Sequence, residues 1–173
     1  MTVVLHAVRD CLKKRWGLLV CALLCVVLIG FIFGNSLKDG QESAQSSDVV
    51  VDTVKPVVDP KDQIERVEFS FYVRKLAHFT EFFWLGMALC GVAEGLSRRR
   101  ADCRALLSHY PVCGALLTAL LVAVVDEWIQ SYTGRTSSVR DVLIDFSGAL
   151  CGFFLTALVV WGIRARGVRT RSQ

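Results

Sequence analysis

Ionisable and amide residues that could bind ions or transfer protons occur inside or beside three otherwise apolar stretches of the sequence. In the first stretch Arg74, His78 and Glu81 are separated by four and three residues, a spacing that places side chains on one face of an α-helix. The same spacing recurs in the other two stretches. The ten positions are called the polar cluster below: Arg74, Lys75, His78, Glu81, Asp126, Glu127, Gln130, Arg135, Asp141 and Asp145.

These residue types permit several kinds of chemistry. Arg74, Lys75 and Arg135 can donate hydrogen bonds to phosphate or carboxylate groups. Carboxylates buried beside His78 would suit general acid and base catalysis, although no Ser or Cys nucleophile stands in a recognisable motif. A metal site would use His78 with Glu81, Asp126 and Glu127, but no second His-bearing motif is present. We therefore expect neither a metal nor another cofactor.

The elements that must position these residues are membrane helices. The chain has 173 residues, of which 53% are hydrophobic and 21% charged, and its mean hydropathy is +0.46. Each of four apolar segments is long enough to cross a hydrocarbon core of about 30 Å. The predicted helices are 16–33, 71–96, 112–129 and 142–163. The sequence thus predicts a single all-α domain over 1–173, an integral membrane four-helix bundle.

One long polar region separates the first two helices. Residues 34–70 hold eight of the 16 acidic side chains and two of the three prolines, and they are predicted to form an extracytoplasmic loop. Within the loop, residues 49–58 fit either a short strand or a mobile linker.

Basic residues indicate the orientation. Four Lys or Arg precede the first helix, four lie in the link between the second and third helices, and four follow the last. The positive-inside rule then places both termini in the cytoplasm and the protein in the cell membrane, with the lipid bilayer as its main partner. The polar cluster falls beneath the outer surface, on one side only, which disfavours proton transport. The net charge of +4 comes without stacking aromatics or a nucleic-acid motif, so nucleic-acid binding is not expected.

Two glycines on the fourth helix predict close helix packing. Gly148 and Gly152 form a GxxxG motif on the polar face of this helix, where another helix backbone can approach closely.

Glu94 is separate from the polar cluster. It lies near the inner end of the second helix beside the arginines of the inner loop, and we expect it to form a salt bridge.

Four separated motifs resemble the VanZ-like family of small membrane proteins. They are the segments RKLAHFTEF at 74–82, DEWIQ at 126–130, Arg135, and DVLIDFSG at 141–148. Two positions depart from the family pattern, since Phe82 stands where Tyr is common and Asp145 where Asn is common. The resemblance implies a multi-pass protein of the cell envelope with an effect on susceptibility to the glycopeptide teicoplanin.

A further part of the resemblance lies after the first helix. Asn35-Ser36-Leu37, with Ser43 and Ser46, is similar to a serine-bearing segment that the family has there.

Three functions remain open from the sequence. The first is an outer-leaflet polar site for a cell-envelope or lipid-linked ligand, such as a lipid-linked cell-wall precursor or a glycopeptide. The second is a membrane-embedded hydrolase or transferase that uses the carboxylates. The third is a structural ion-pair network that joins the helices. The number of polar groups exceeds what helix registration requires, which favours a functional site.

Overall fold

The protein is a bundle of α-helices. The computed structural model describes residues 2–38, 40–59, 63–99, 110–135 and 137–169. Within these ranges the helices are α1 (Thr2–Ser36), α2 (Gly40–Val58), α3 (Arg66–Arg99), α4 (Tyr110–Tyr132) and α5 (Val139–Arg169). The predicted all-α fold class is therefore confirmed.

Four of the helices are long and apolar enough to cross a membrane. The candidate spans are Trp16–Ser36, Arg66–Ser97, Tyr110–Tyr132 and Val139–Arg166. Large apolar side chains cover the outside of the bundle, and in α1 more than half of the surface of Leu19, Leu23, Val26 and Val27 is exposed. Such an exterior suits lipid rather than water. The chain is thus a helical membrane bundle, as the sequence predicted.

The polar region between the first two spans differs from the prediction. Most of 34–70 is helical rather than loop, because α2 occupies Gly40–Val58. Residues 49–58 accordingly form neither a strand nor a linker. Asp48 and Asp52, one turn apart, both pair with Arg66 at distances of 3.5 and 2.6 Å. This contact fixes one face of α2 against the start of α3, which begins five residues earlier than predicted.

Helix α3 is the centre of the bundle. It contacts all four other helices, and its most extensive contact is with α5. A Cβ atom on Gly148 would lie 2.4 Å from the carbonyl oxygen of Phe79, and one on Gly152 would lie 2.0 Å from that of Phe83. Both glycines therefore let the α5 backbone lie directly on the α3 backbone. This close packing places the polar residues of the two helices within reach of each other.

An ion pair joins the same two helices at the end of the bundle remote from the polar cluster. Glu94 of α3 pairs with Arg164 of α5. The expected salt bridge of Glu94 is present, with a partner on the last helix.

Candidate functional site

The polar cluster assembles from three helices and the α4–α5 connection. Lys75 Nζ lies 2.5 Å from Asp141 Oδ1, which joins α3 to α5. His78 Nδ1 lies 3.7 Å from Asp126 Oδ2, which brings α3 next to α4. Arg135 Nη2 lies 3.3 Å from His78 Nε2. The stripes that helical spacing predicted on separate segments thus meet at one end of the bundle.

Asp126 is the most completely buried member of the cluster. Its exposed fraction is 0%. Ser36 Oγ donates a hydrogen bond of 2.6 Å to Asp126 Oδ1, and Gln130 Nε2 donates one of 2.7 Å to Asp126 Oδ2. Both carboxylate oxygens are therefore partnered, and the bond from Ser36 ties the end of α1 to α4.

Glu81 is held by the same end of α1. Asn35 Nδ2 donates a 2.9 Å hydrogen bond to Glu81 Oε1, while Lys38 Nζ donates one of 3.1 Å to Asn35 Oδ1. The second carboxylate oxygen, Glu81 Oε2, is buried and has no hydrogen-bond partner in the described part of the chain.

Glu127 organises the start of α5. Its Oε2 accepts a 3.1 Å hydrogen bond from the backbone N–H of Ser138, the residue immediately before α5. Ser138 Oγ in turn accepts a hydrogen bond of 3.2 Å from the N–H of Arg140, as an N-cap residue does. Glu127 thus links α4 to the beginning of α5, the helix that carries Asp141 and Asp145.

A polar pocket of about 250 Å³ lies beside these contacts. Its lining includes Arg74, Lys75, His78, Gln130, Arg135 and the ring of Phe71. Lys75 is already engaged, since it pairs with Asp141 and lies 5.3 Å from the centre of the Phe71 ring. Among the described residues no carboxylate pairs with Arg74 or Arg135.

Arg135 is a partly buried cation. Burial, and next the nearby Arg74 guanidinium, lower the pKa of Arg135 from its ordinary value, and the acids of the cluster offset part of that effect. A guanidinium nevertheless remains charged at neutral pH. Two guanidinium groups therefore face the pocket, and neither is in a direct ion pair with a carboxylate among the described residues.

Three cluster residues have the donor set and the proximity that a metal ion requires. One ligand-type atom from each of His78, Asp126 and Asp145 lies within 4.8 Å of the other two. This set differs from the combination predicted from the sequence, which was His78 with Glu81, Asp126 and Glu127. Glu81 instead accepts a hydrogen bond from Asn35, and Glu127 accepts one from Ser138 at the start of α5. Asp145 takes their place beside His78 and Asp126.

The predicted cluster contains no α1 residue, although Asn35 and Ser36 make three hydrogen bonds with its members Glu81, Asp126 and Gln130. Their position at the end of the first apolar segment, at the depth predicted for the cluster, was the available signal. Thr133 was also missed, and its Oγ1 donates to the Ser36 carbonyl at 3.2 Å. The side chains of Ser43 and Ser46 lie outside the described part of the chain.

Four candidate membrane spans around an embedded group of charged and amide side chains define a multi-pass membrane protein with a polar site at one end. The VanZ/LLP1 family model matches residues 21–160, a range that contains the whole polar cluster. The chain belongs to the VanZ/LLP1 family, which confirms the resemblance. No curated protein and no solved structure matches the chain.

Proposed function

We propose that the pocket beside the polar cluster binds the anionic group of a lipid-linked cell-envelope ligand. The observation that carries the proposal is that Arg74 and Arg135 line the pocket without a carboxylate partner among the described residues. Partly buried cations without an anion are costly, and a phosphate or carboxylate from a ligand would accept their hydrogen bonds.

The size of the pocket limits what it can hold. Its volume of about 250 Å³ is below the roughly 300–1,000 Å³ of sites that enclose drug-sized ligands. A single phosphate or carboxylate fits such a space, while the remainder of the ligand would lie outside it. Apolar side chains surround the bundle, so an acyl or prenyl chain can remain in the lipid next to the site.

The remaining cluster residues support the pocket. Asp126 and Gln130 join α4 to α1, Glu127 accepts a hydrogen bond from the residue before α5, and Asp141 pairs with Lys75. We assign to these four a positioning role, and to the two arginines direct contact with the anion. Under this assignment some cluster residues bind the ligand, while others form a structural network of ion pairs and hydrogen bonds.

The pocket is proposed to lie at the outer face of the cell membrane. The positive-inside rule favours a cell-membrane protein with both termini in the cytoplasm and the pocket at the outer face. Lipid-linked wall precursors and the lipid tails of glycopeptides are both available at that face. An effect on teicoplanin susceptibility would follow if the protein sequesters or presents such a molecule.

Binding to defined lipids tests the proposal. We expect the full-length protein in nanodiscs to bind a polyprenyl phosphate more tightly than the uncharged polyprenol. Loss of one charge-assisted hydrogen bond is worth about 1.5–3 kcal/mol, so Arg74→Gln and Arg135→Gln should each weaken phosphate binding by about tenfold or more. Arg140→Gln is the matched control, because Arg140 is exposed and lies outside the pocket.

Two outcomes would contradict the proposal. The first is equal affinity for the phosphate and the alcohol. The second is unchanged phosphate affinity in both variants when their folded fraction equals that of the wild type. Teicoplanin susceptibility of cells that express the same variants then tests the cellular consequence separately from the binding.

A further inference from the structure

Beneath the arginine-lined pocket, side chains from three helices converge on one buried point. His78 comes from α3, Asp126 from α4 and Asp145 from α5, and one nitrogen or oxygen of each lies within 4.8 Å of the others. The exposed fractions are 0% for Asp126, 2% for Asp145 and 13% for the His78 side chain. Two acids and an imidazole thus share a small volume away from water.

Two of the buried polar atoms at this point make no hydrogen bond. Asp145 Oδ2 and His78 Nδ1 are both buried, and neither has a hydrogen-bond partner among the described residues. A buried polar atom left unpaired costs about 1–3 kcal/mol, and more when the group is charged. Asp145 therefore brings an unsatisfied buried acceptor to the group in which one oxygen of Asp145 lies within 4.8 Å of His78 and Asp126.

The formal charge of the cluster is also unbalanced. Its five carboxylates, Glu81, Asp126, Glu127, Asp141 and Asp145, face three Lys or Arg residues. The formal excess is two negative charges. Lys75 is in contact with Asp141, and among the described residues no Lys or Arg forms an ion pair with Asp145. One divalent cation would supply the missing charge.

We propose that His78, Asp126 and Asp145 bind a divalent cation. A mixed set of one imidazole and two carboxylates suits Mn²⁺ or Zn²⁺ better than Mg²⁺ or Ca²⁺, which prefer oxygen ligands alone. Three protein ligands leave at least one coordination position open for water or for a ligand group. The site stands on its own geometry and does not require that the pocket bind an anion.

The tautomer of His78 connects the cation to Arg135. A guanidinium only donates hydrogen bonds, so His78 Nε2 accepts from Arg135 at 3.3 Å and the ring proton lies on Nδ1. Coordination through Nδ1 moves that proton to Nε2, with no proton gained or lost overall. Nε2 then no longer accepts from Arg135, and the guanidinium is released toward the pocket. This coupling rests on the proposed function, because it predicts tighter anion binding when the cation is present.

Titration with the metal alone tests the site. Full-length protein in detergent is treated with a chelator, dialysed and titrated with Mn²⁺, and free Mn²⁺ is measured by electron paramagnetic resonance. We expect one saturable site per chain in the wild type. Asp145→Asn and His78→Gln should each weaken binding by roughly tenfold or more, whereas Glu94→Gln should not, since Glu94 lies at the other end of α3 paired with Arg164.

The thermal unfolding midpoint provides a second readout. A ligand that binds only the folded state stabilises it, so Mn²⁺ should raise the midpoint of the wild type and of Glu94→Gln but not that of Asp145→Asn. Absence of saturable binding to folded wild-type protein by both Mn²⁺ and Zn²⁺ would overturn the proposal and would indicate that protons neutralise the acids. Wild-type affinity in Asp145→Asn would overturn it as well. No lipid anion takes part in these titrations, so failure of the anion pocket leaves their outcome unchanged.

Discussion

Ser36 Oγ donates a 2.6 Å hydrogen bond to Asp126 Oδ1, and both residues have an exposed fraction of 0%. The bond joins the last residue of α1 to α4 across 90 positions of sequence. A buried carboxylate is stabilised by each hydrogen-bond donor that it contacts. The Ser36 hydroxyl therefore helps to anchor α1 to the polar end of the protein, together with the bond from Asn35 to Glu81 and the bond from Thr133 to the Ser36 carbonyl.

Replacement of Ser36 by Ala should destabilise the bundle. The variant leaves Asp126 Oδ1 without its donor in a buried position, at a cost of about 1–3 kcal/mol. Unfolding in mixed micelles measures the change in free energy. Ser131→Ala is the matched control, because the Ser131 hydroxyl is exposed and bonds only to the Trp128 carbonyl of its own helix. Equal stability of Ser36→Ala and the control would show that the α1–α4 bond contributes nothing.

Glu127 offers a test that separates hydrogen bonding from charge. Glu127→Gln retains a carbonyl oxygen that can accept from the Ser138 N–H, whereas Glu127→Ala removes the acceptor. We expect Gln to preserve stability and Ala to lose about 1 kcal/mol, the usual contribution of one hydrogen bond. The free energy of unfolding of the two variants gives the comparison. A Gln variant as unstable as the Ala variant would assign the role of Glu127 to its charge.

The sequence predicted those features that depend on local periodicity. The four apolar runs identified the spans, and the three- and four-residue spacings placed His78, Asp126 and Asp145 on converging stripes. It did not predict α2, whose position depends on the contacts of Asp48 and Asp52 with Arg66. Nor did it place Asn35 and Ser36 in the site, because their partners Glu81 and Asp126 lie 46 and 90 residues away. Contacts at such separations come from packing and leave no periodic signal.

The close approach of α5 to α3 predicts a difference between two glycines of the same helix. A Cβ on Gly152 would lie 2.0 Å from the Phe83 carbonyl oxygen, while Gly162 has nothing within 4 Å. Gly152→Ala must therefore separate the helices, at a cost of about 1–3 kcal/mol for overpacking. Gly162→Ala should be neutral or stabilising by up to about 1 kcal/mol, because Ala is the better helix former.

Two measurements check the glycine pair. Unfolding of each variant gives the difference in stability, and lipid binding by Gly152→Ala reports whether the polar end is displaced. If both variants had the same stability, the backbone contact between α3 and α5 would not exist in solution.

The side of the membrane that the pocket faces follows from labelling of single cysteines. Ser137 lies in the connection between α4 and α5, next to the polar end, and Ala165 lies near the opposite end of α5; both residues are exposed. In a background that lacks the seven native cysteines, we expect Ser137→Cys to react with a membrane-impermeant maleimide in intact cells. Ala165→Cys should react only after permeabilisation, because the arginines in the last turns of α5 and just after it in the sequence favour the cytoplasm. The reverse pattern would place the arginines and the buried acids at the cytoplasmic face, where outer-leaflet lipids and glycopeptides cannot reach them.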